Sequence, residues 1–207
     1  MASPYYTKQP VYLKEPSGRY QNILTNGIAT EGPTGKYNTS TILNFPFTPT
    51  ISIINSANYS EYAMTHANFQ QRAFDSHMNM ELNITAPMIV RSVEEAEYVY
   101  NAALYIRSLM KMQWLRDDDP GMPPPILRFY AHGIYENVPC VIRDFTWNLD
   151  SDIDYLEIEE GKNKGMRIPV HNMFVLSLST TYAPKNVRKN FSVKEYLKGD
   201  LKDEGYV

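Results

Sequence analysis

Apolar and polar residues alternate along several short stretches of the chain, which is the pattern of strands that bury one face. In the clearest stretch, residues 78–85, four apolar side chains alternate with polar ones (Met78, Met80, Leu82 and Ile84). We expect a strand with one core-facing side in an antiparallel sheet, ended by Pro87.

The stretch from Val138 to Ile158 carries the densest group of aromatic and aliphatic residues. Apolar side chains recur at every second position except Arg143, which is the one break (Val141, Phe145, Trp147 and Leu149). Asp150-Ser151-Asp152 predicts a turn. A second alternating run from Ile153 to Ile158 then predicts a strand that returns antiparallel to the first. We expect this hairpin to lie at the centre of the fold.

One amphipathic helix is predicted over residues 93–114. Ser92 and Glu95 form a capping-box pattern at its start, and an apolar arc continues to Trp114. The arc includes Val93, Ala96, Val99, Tyr100, Ala103, Leu104, Ile106 and Met110, with Asn101 on the opposite side. Asp117 to Gly121 predicts the helix end.

The patterns that predict the remaining elements are weaker. The pattern predicts a short buried strand at residues 50–55, a long loop at 56–76, a strand at 126–130, turns at His132-Gly133 and Glu136-Asn137, and a long strand from Met166 to Tyr182. Pro169 should bend that last strand or place its first third at a sheet edge.

The domain organisation predicted from these elements has three parts. Residues 1–44 form an extended N-terminal arm with one or two short strands, residues 45–182 form the β domain, and residues 183–207 form a tail. A short helix near Ser192 to Lys198 would give the tail an apolar side. We expect the tail to dock on a neighbouring subunit rather than to stay solvated, through six residues: Tyr182, Pro184, Phe191, Val193, Tyr196 and Leu197.

Composition narrows the class of protein. The 207 residues are 43% hydrophobic, enough for a sizeable core, and the formal net charge of −3 argues against a strongly basic nucleic-acid binder. The 16 Tyr, 8 Phe and 2 Trp favour strands and interfaces. One cysteine cannot form an internal disulfide. No secretory signal or apolar run of membrane-spanning length is recognisable, so we expect assembly in the cytosol.

Candidate catalytic and metal-binding patterns are incomplete. Asp150, Asp152 and Asp154 have the spacing of a calcium loop, but Tyr155 and Gly161 occupy the positions of its glycine and bidentate glutamate. No two of the four histidines have metal-ligand spacing. Cys140 follows Pro139 in an apolar strand, which favours a small core residue over a nucleophile. We expect no enzyme activity, no metal and no cofactor.

Several ordered segments together resemble the tube-fold proteins of contractile bacteriophage tails, most of all the baseplate proteins that cap the hub and initiate the tail tube. They are Asn44 to Thr50, Glu94 to Met112, Pro123 to Pro125, Val138 to Ile142, Asp152 to Tyr155, and Arg167 to Tyr182. The resemblance spans about Phe45 to Tyr182. The tube initiators are often longer, which leaves open whether this chain is the initiator, a second ring beside it or the tube subunit.

The resemblance implies a mainly β fold with one flanking helix, an antiparallel β-sandwich or half-barrel. It also implies that six copies close into a ring whose inner strands form a barrel, that rings of tube and hub proteins stack on it, and that DNA passes through the lumen only as transient cargo. The location would be the virion. The alternative from another class is a monomeric β-rich module that binds protein or carbohydrate through exposed tyrosines.

Overall fold

The computed structural model describes residues 11–16, 42–112, 121–159 and 163–206. They contain eleven strands and three helices. In chain order these are β1 Val11–Lys14, β2 Ile42–Asn44, β3 Thr50–Ile54, β4 Ala57–Tyr62, β5 Gln71–His77, β6 Glu81–Ile89, α1 Val93–Leu109, β7 Leu127–Ala131, β8 Tyr135–Trp147, β9 Tyr155–Glu157, β10 Arg167–Pro169, β11 His171–Thr180, α2 Pro184–Asn190 and α3 Val193–Lys198.

Seven strands form one antiparallel sheet in the order β2-β1-β7-β8-β11-β6-β3. Two further two-stranded sheets pair β9 with β10 and β4 with β5. The predicted fold class, mainly β with an antiparallel sheet and one long flanking helix, is confirmed.

Strand β6 has the predicted single core-facing side, but it begins at Glu81, and Met78, which was predicted to face the core, is exposed. Its even-numbered side chains from Leu82 to Met88 are buried and the odd-numbered ones are half-buried. The strand does not stop at Pro87, however, because it continues to Ile89 in register with β11. Its pairing with β3 ends at Thr85, so Pro87 lies beyond that neighbour, where a missing N–H is tolerated.

Helix α1 begins where the capping pattern predicts. The Ser92 Oγ accepts a hydrogen bond from the Glu95 N–H at 3.3 Å, and the Glu95 carboxylate accepts from the Arg91 N–H at 2.9 Å. The helix ends at Leu109, earlier than predicted, because the Lys111 N–H bonds to Ser108 in a tighter turn. Trp114 and residues 117–119 lie outside the described residues.

The core lies between α1 and one face of the sheet. Ala96, Val99, Ala103 and Ile106 of the predicted apolar arc are buried, while Val93 at its start is exposed. Asn101, predicted to face solvent, is also buried, so the helix inserts more deeply than its apolar arc indicates. The Tyr98 hydroxyl donates to the Asn44 carbonyl at 2.9 Å and thereby ties α1 to β2.

The prediction of a central hairpin is wrong for its second strand. Strand β8 extends to Trp147 as expected, but β7 and β11 occupy both of its edges, so β9 pairs with β10 instead. The break at Arg143 corresponds to a β-bulge, at which the β8–β11 register shifts by one residue. The bulge moves the packed face from even positions such as Cys140 to odd positions such as Phe145.

A second irregularity replaces the turn predicted at Glu136-Asn137. These residues lie within β8, where the register with β7 shifts and Asn137 has a φ of 55°. The turn at His132-Gly133 is present, with positive φ at both residues and a bond from the Ile134 N–H to the Ala131 carbonyl.

The N-terminal arm contributes two short strands, β1 and β2, to the main sheet. Strand β1 lies between β2 and β7, and Val11 and Leu13 are buried. Short apolar runs that cannot hold a core alone are stabilised here by strands from distant parts of the chain. The long strand predicted from Met166 to Tyr182 is divided at Val170, because β10 leaves the main sheet to pair with β9.

The chain from residue 50 to residue 77 also differs from prediction. Strand β3 is an edge strand and is mostly exposed rather than buried, although Ile51 packs against the core. The predicted long loop at 56–76 is instead the β4–β5 hairpin.

Candidate interaction site

The C-terminal tail folds back onto its own chain. The Tyr182 ring stacks on Tyr206 with 5.1 Å between centroids, and its hydroxyl donates to the Gly205 carbonyl at 2.9 Å. Gly205, at a φ of +81°, lies directly against the Asn137 bulge. Leu201 and Tyr206 are buried. The last residues of the tail are therefore anchored to the end of the sheet.

Between this anchor and the sheet, the tail forms helices α2 and α3. The helix predicted near Ser192 to Lys198 is confirmed as α3, which ends at Gly199 with a φ of +79°. Neither helix has a buried residue, so both expose apolar side chains. Leu197 is the extreme case, with 80% of its surface exposed.

An apolar groove of about 470 Å³ runs between these helices and the end of the sheet. Four of the six predicted interface residues line it, namely Tyr182, Phe191, Val193 and Tyr196. Pro184 begins α2 and Leu197 projects from α3, and neither lines the groove. The structure thus brings together most of the predicted residues, although their role as an interface remains a prediction.

The rest of the groove wall comes from residues that were not singled out in the sequence, among them Met78, Met80, Val187 and Tyr206. Met78 and Met80 were predicted only as strand residues. Tyr206 gave no periodic signal, because its contacts with Tyr182 and Phe191 depend on a turn of the chain after Gly199.

The β4–β5 hairpin is a second exposed surface. It pairs only with itself among the described residues, and all of its strand residues except Ser60 are exposed. Tyr59 packs edge-on against Phe74 at 5.7 Å, and Phe69 in the connecting loop is 85% exposed. An exposed apolar surface of this kind is typical of a protein–protein contact.

Charge is distributed unevenly between the two ends of β11. Helices α2 and α3, which follow the end of β11, carry five exposed cations and one acidic residue, Glu195 (the cations are Lys185, Arg188, Lys189, Lys194 and Lys198). At the opposite end, residues 148–159 contain no Lys or Arg and include Asp150, Asp152 and Asp154, all exposed. Within the part of the chain that the structure describes, neither the five cations nor the three aspartates form an ion pair.

Cys140 and the aspartates of residues 150–154 are the residues that were considered as catalytic or metal-binding candidates. Burial raises the pKa of the Cys140 thiol to about 12, which keeps it protonated at neutral pH. The Asp150 carbonyl accepts a hydrogen bond from the Tyr155 hydroxyl at 2.8 Å. Over residues 11–16, 42–112, 121–159 and 163–206, no three His, Cys, Asp or Glu side chains are arranged to hold a metal ion. None of the helices described is both long and apolar enough to cross a membrane.

No protein-family model and no curated protein matches the chain. Among solved structures, the chain is similar to a chain from the tail of an empty GTA particle, computed with helical refinement and C6 symmetry. That match has a TM-score of 0.31 and 9% sequence identity, and covers 66% of this chain and 78% of the other.

Proposed function

We propose that this chain is a structural subunit of a contractile phage tail, and that six copies close into a ring at the junction of tail tube and baseplate, where the ring initiates or continues the tube. The observation that carries the proposal is a seven-stranded antiparallel sheet with a neighbour missing at each edge. Among the described residues, β2 pairs only with β1 and β3 pairs only with β6.

Such edges expose unpaired backbone N–H and C=O groups, which associate with other strands unless something covers them. Ile53 and Ile54 add exposed apolar side chains to the β3 edge. A ring in which β3 of one copy lies beside β2 of the next would cover both edges of every copy. Closure thus stabilises each subunit and defines the assembly.

The two faces of the sheet fit different environments in such a ring. One face is covered by α1. The other, which we call the polar face, carries Asn83, Thr85, Ser177 and Ser179, together with Met173 and Val175. On that face, Arg143 forms an ion pair with Glu81, which neutralises both charges. We assign the polar face to the lumen, where a wall of low net charge would hold passing DNA only weakly.

The exposed hairpin gives the ring a contact with other proteins. Its aromatic side chains would be costly to leave in water in a finished particle, since burial of each contributes about 1.5–3 kcal/mol. We assign the β4–β5 hairpin to the contact with adjacent tube or hub proteins. The location that follows is the virion, after assembly in the host cytoplasm.

The test is electron microscopy and native mass measurement of the purified chain, alone and co-expressed with neighbouring tail proteins. We expect six-fold rings, which Ile54→Lys should prevent by placing a charge on the β3 edge. Thr146→Lys is the matched control, because it adds the same charge to an exposed position of the central strand β8. A chain that stays monomeric with every partner would favour the binding-module alternative.

A further inference from the structure

The groove beside the tail has an apolar wall, and the two helices next to it carry an excess of positive charge. Phe191 between the helices and Val193 and Tyr196 on α3 supply apolar side chains, while α2 and α3 carry the five exposed cations and one carboxylate. A ligand for this site should therefore be a segment that combines apolar and acidic groups.

The chain itself contains such a segment. Residues 149–155 read Leu-Asp-Ser-Asp-Ile-Asp-Tyr, with a turn at Ser151 and Asp152, so that the three aspartates lie next to the apolar residues Leu149, Ile153 and Tyr155. Two of those apolar residues are notably exposed, Leu149 at 59% and Tyr155 at 40%. We call residues 149–155 the acidic segment and the groove with helices α2 and α3 the basic groove.

One molecule cannot bring these two surfaces together. The Asp154 carbonyl accepts a hydrogen bond from the Val170 N–H, just before β11 begins. Thr180, at the other end of β11, lines the groove. Ten residues of strand separate the two sites, which is about 33 Å at ~3.3 Å per residue.

We propose that the basic groove binds the acidic segment of a second copy of this chain, so that copies associate head to tail. This inference rests on the proposed function, for which it supplies a contact between copies. The apolar residues of the segment would enter the groove while its aspartates face the cations of α2 and α3. Because the two surfaces differ and lie at opposite ends of β11, the contact is heterologous and runs along the strands. It can therefore join each copy of one ring to a copy of the next ring, while β3 and β2 close the ring itself.

A charge-reversal series tests the contact. In the loop variant, Asp150, Asp152 and Asp154 are replaced by Lys, and in the helix variant, Lys185, Arg188 and Lys194 are replaced by Glu. We expect each variant alone to raise the dissociation constant for self-association by roughly tenfold or more, measured by sedimentation. The variant that combines both sets should regain association, because the charges are again complementary.

Cross-linking locates the contact. Cys140 is buried, so an introduced cysteine should react first. Ser151→Cys in one copy and Asn190→Cys in another should join through a short bis-maleimide, whereas Ser151→Cys with Arg107→Cys on α1 should not. Failure of both the charge rescue and the cross-link would overturn the proposal.

The same measurements separate this inference from the proposed function. Six-fold rings that stack equally well in the loop and helix variants would overturn the head-to-tail contact and leave the ring subunit intact. Rescue and cross-linking in open oligomers that never close into rings would support the contact and count against the ring.

Discussion

Gly205 lies so close to Asn137 that a Cβ atom at position 205 would be 2.3 Å from the Asn137 carbonyl oxygen. This approach joins the tail to the bulge in β8, where Asn137 itself has a positive φ. A side chain at residue 205 would force the two backbones apart. The anchoring of the tail thus depends on one glycine.

We expect Gly205→Ala to lower the melting temperature and to speed tryptic cleavage around Lys185, because the anchor would detach. Gly199→Ala is the matched control, since Gly199 has a similar φ of +79° but nothing within 4 Å of the added Cβ. The control should cost only the ~1–2 kcal/mol of a left-handed alanine. Equal effects of the two substitutions on stability and cleavage would contradict the anchoring role.

The sequence predicted the elements that bury one face. In β6 and α1, the period of apolar residues follows directly from a single core-facing side. The β4–β5 hairpin escaped prediction because both of its faces are exposed, so no alternation distinguishes it from a loop. The pairing of β9 with β10 was not predictable from local pattern either, since it depends on β7 and β11 occupying both edges of β8.

The groove was predictable only in part. The spacing of Phe191, Val193 and Tyr196 showed an apolar side of the tail, and these residues do line the groove. Its remaining wall required knowledge of where the tail lies, which is determined by Gly205 and Tyr206 at the far end. Contacts between residues distant in sequence leave no periodic signal.

Asn172 is fully buried and connects strands β6, β8 and β10 through its side chain. Its side-chain amide donates to the carbonyls of Met88 and Pro169, and its carbonyl oxygen accepts from the Trp147 indole N–H at 2.9 Å. Asn172→Leu would leave these groups unsatisfied, so we expect a loss of about 2–4 kcal/mol in unfolding free energy. Denaturant titration measures this loss of unfolding free energy. Trp147→Phe removes one donor and part of the ring that packs on Phe174, but it leaves both backbone carbonyls paired, so it should cost less. An unchanged unfolding free energy in Asn172→Leu would show that the network is not stabilising.

The burial of Cys140 predicts that the stability of the fold decreases at alkaline pH. Its pKa rises with burial to about 12, against 9.0 for an ordinary thiol. Because the folded state holds the proton more tightly than the unfolded state, its contribution to stability is complete below pH 9 and is lost as the pH rises toward 12. We expect Cys140→Ala to lose less stability than the unsubstituted chain over this pH range. Parallel pH profiles of the two chains would contradict this prediction.

Removing residues 183–207 tests whether the tail serves assembly. We expect the truncated chain to keep its sheet, with a far-ultraviolet spectrum that changes only by the loss of α2 and α3, because these helices contain no buried residue. Loss of Leu201 and Tyr206, which are buried, should lower the melting temperature modestly. Ring stacking or assembly with neighbouring tail proteins should fail. A truncated chain that assembles as well as the full chain would make the tail a passive extension.

The central claim is that copies of this chain close their sheet edges against one another in a six-membered ring. The most direct measurement is a cryo-electron microscopy reconstruction of the chain assembled with its neighbouring tail proteins, without imposed symmetry. We predict six-fold symmetry, with β3 of each copy beside β2 of the next and the polar face toward the lumen. A reconstruction in which these edges face solvent, or in which the chain binds as a single copy, would contradict it.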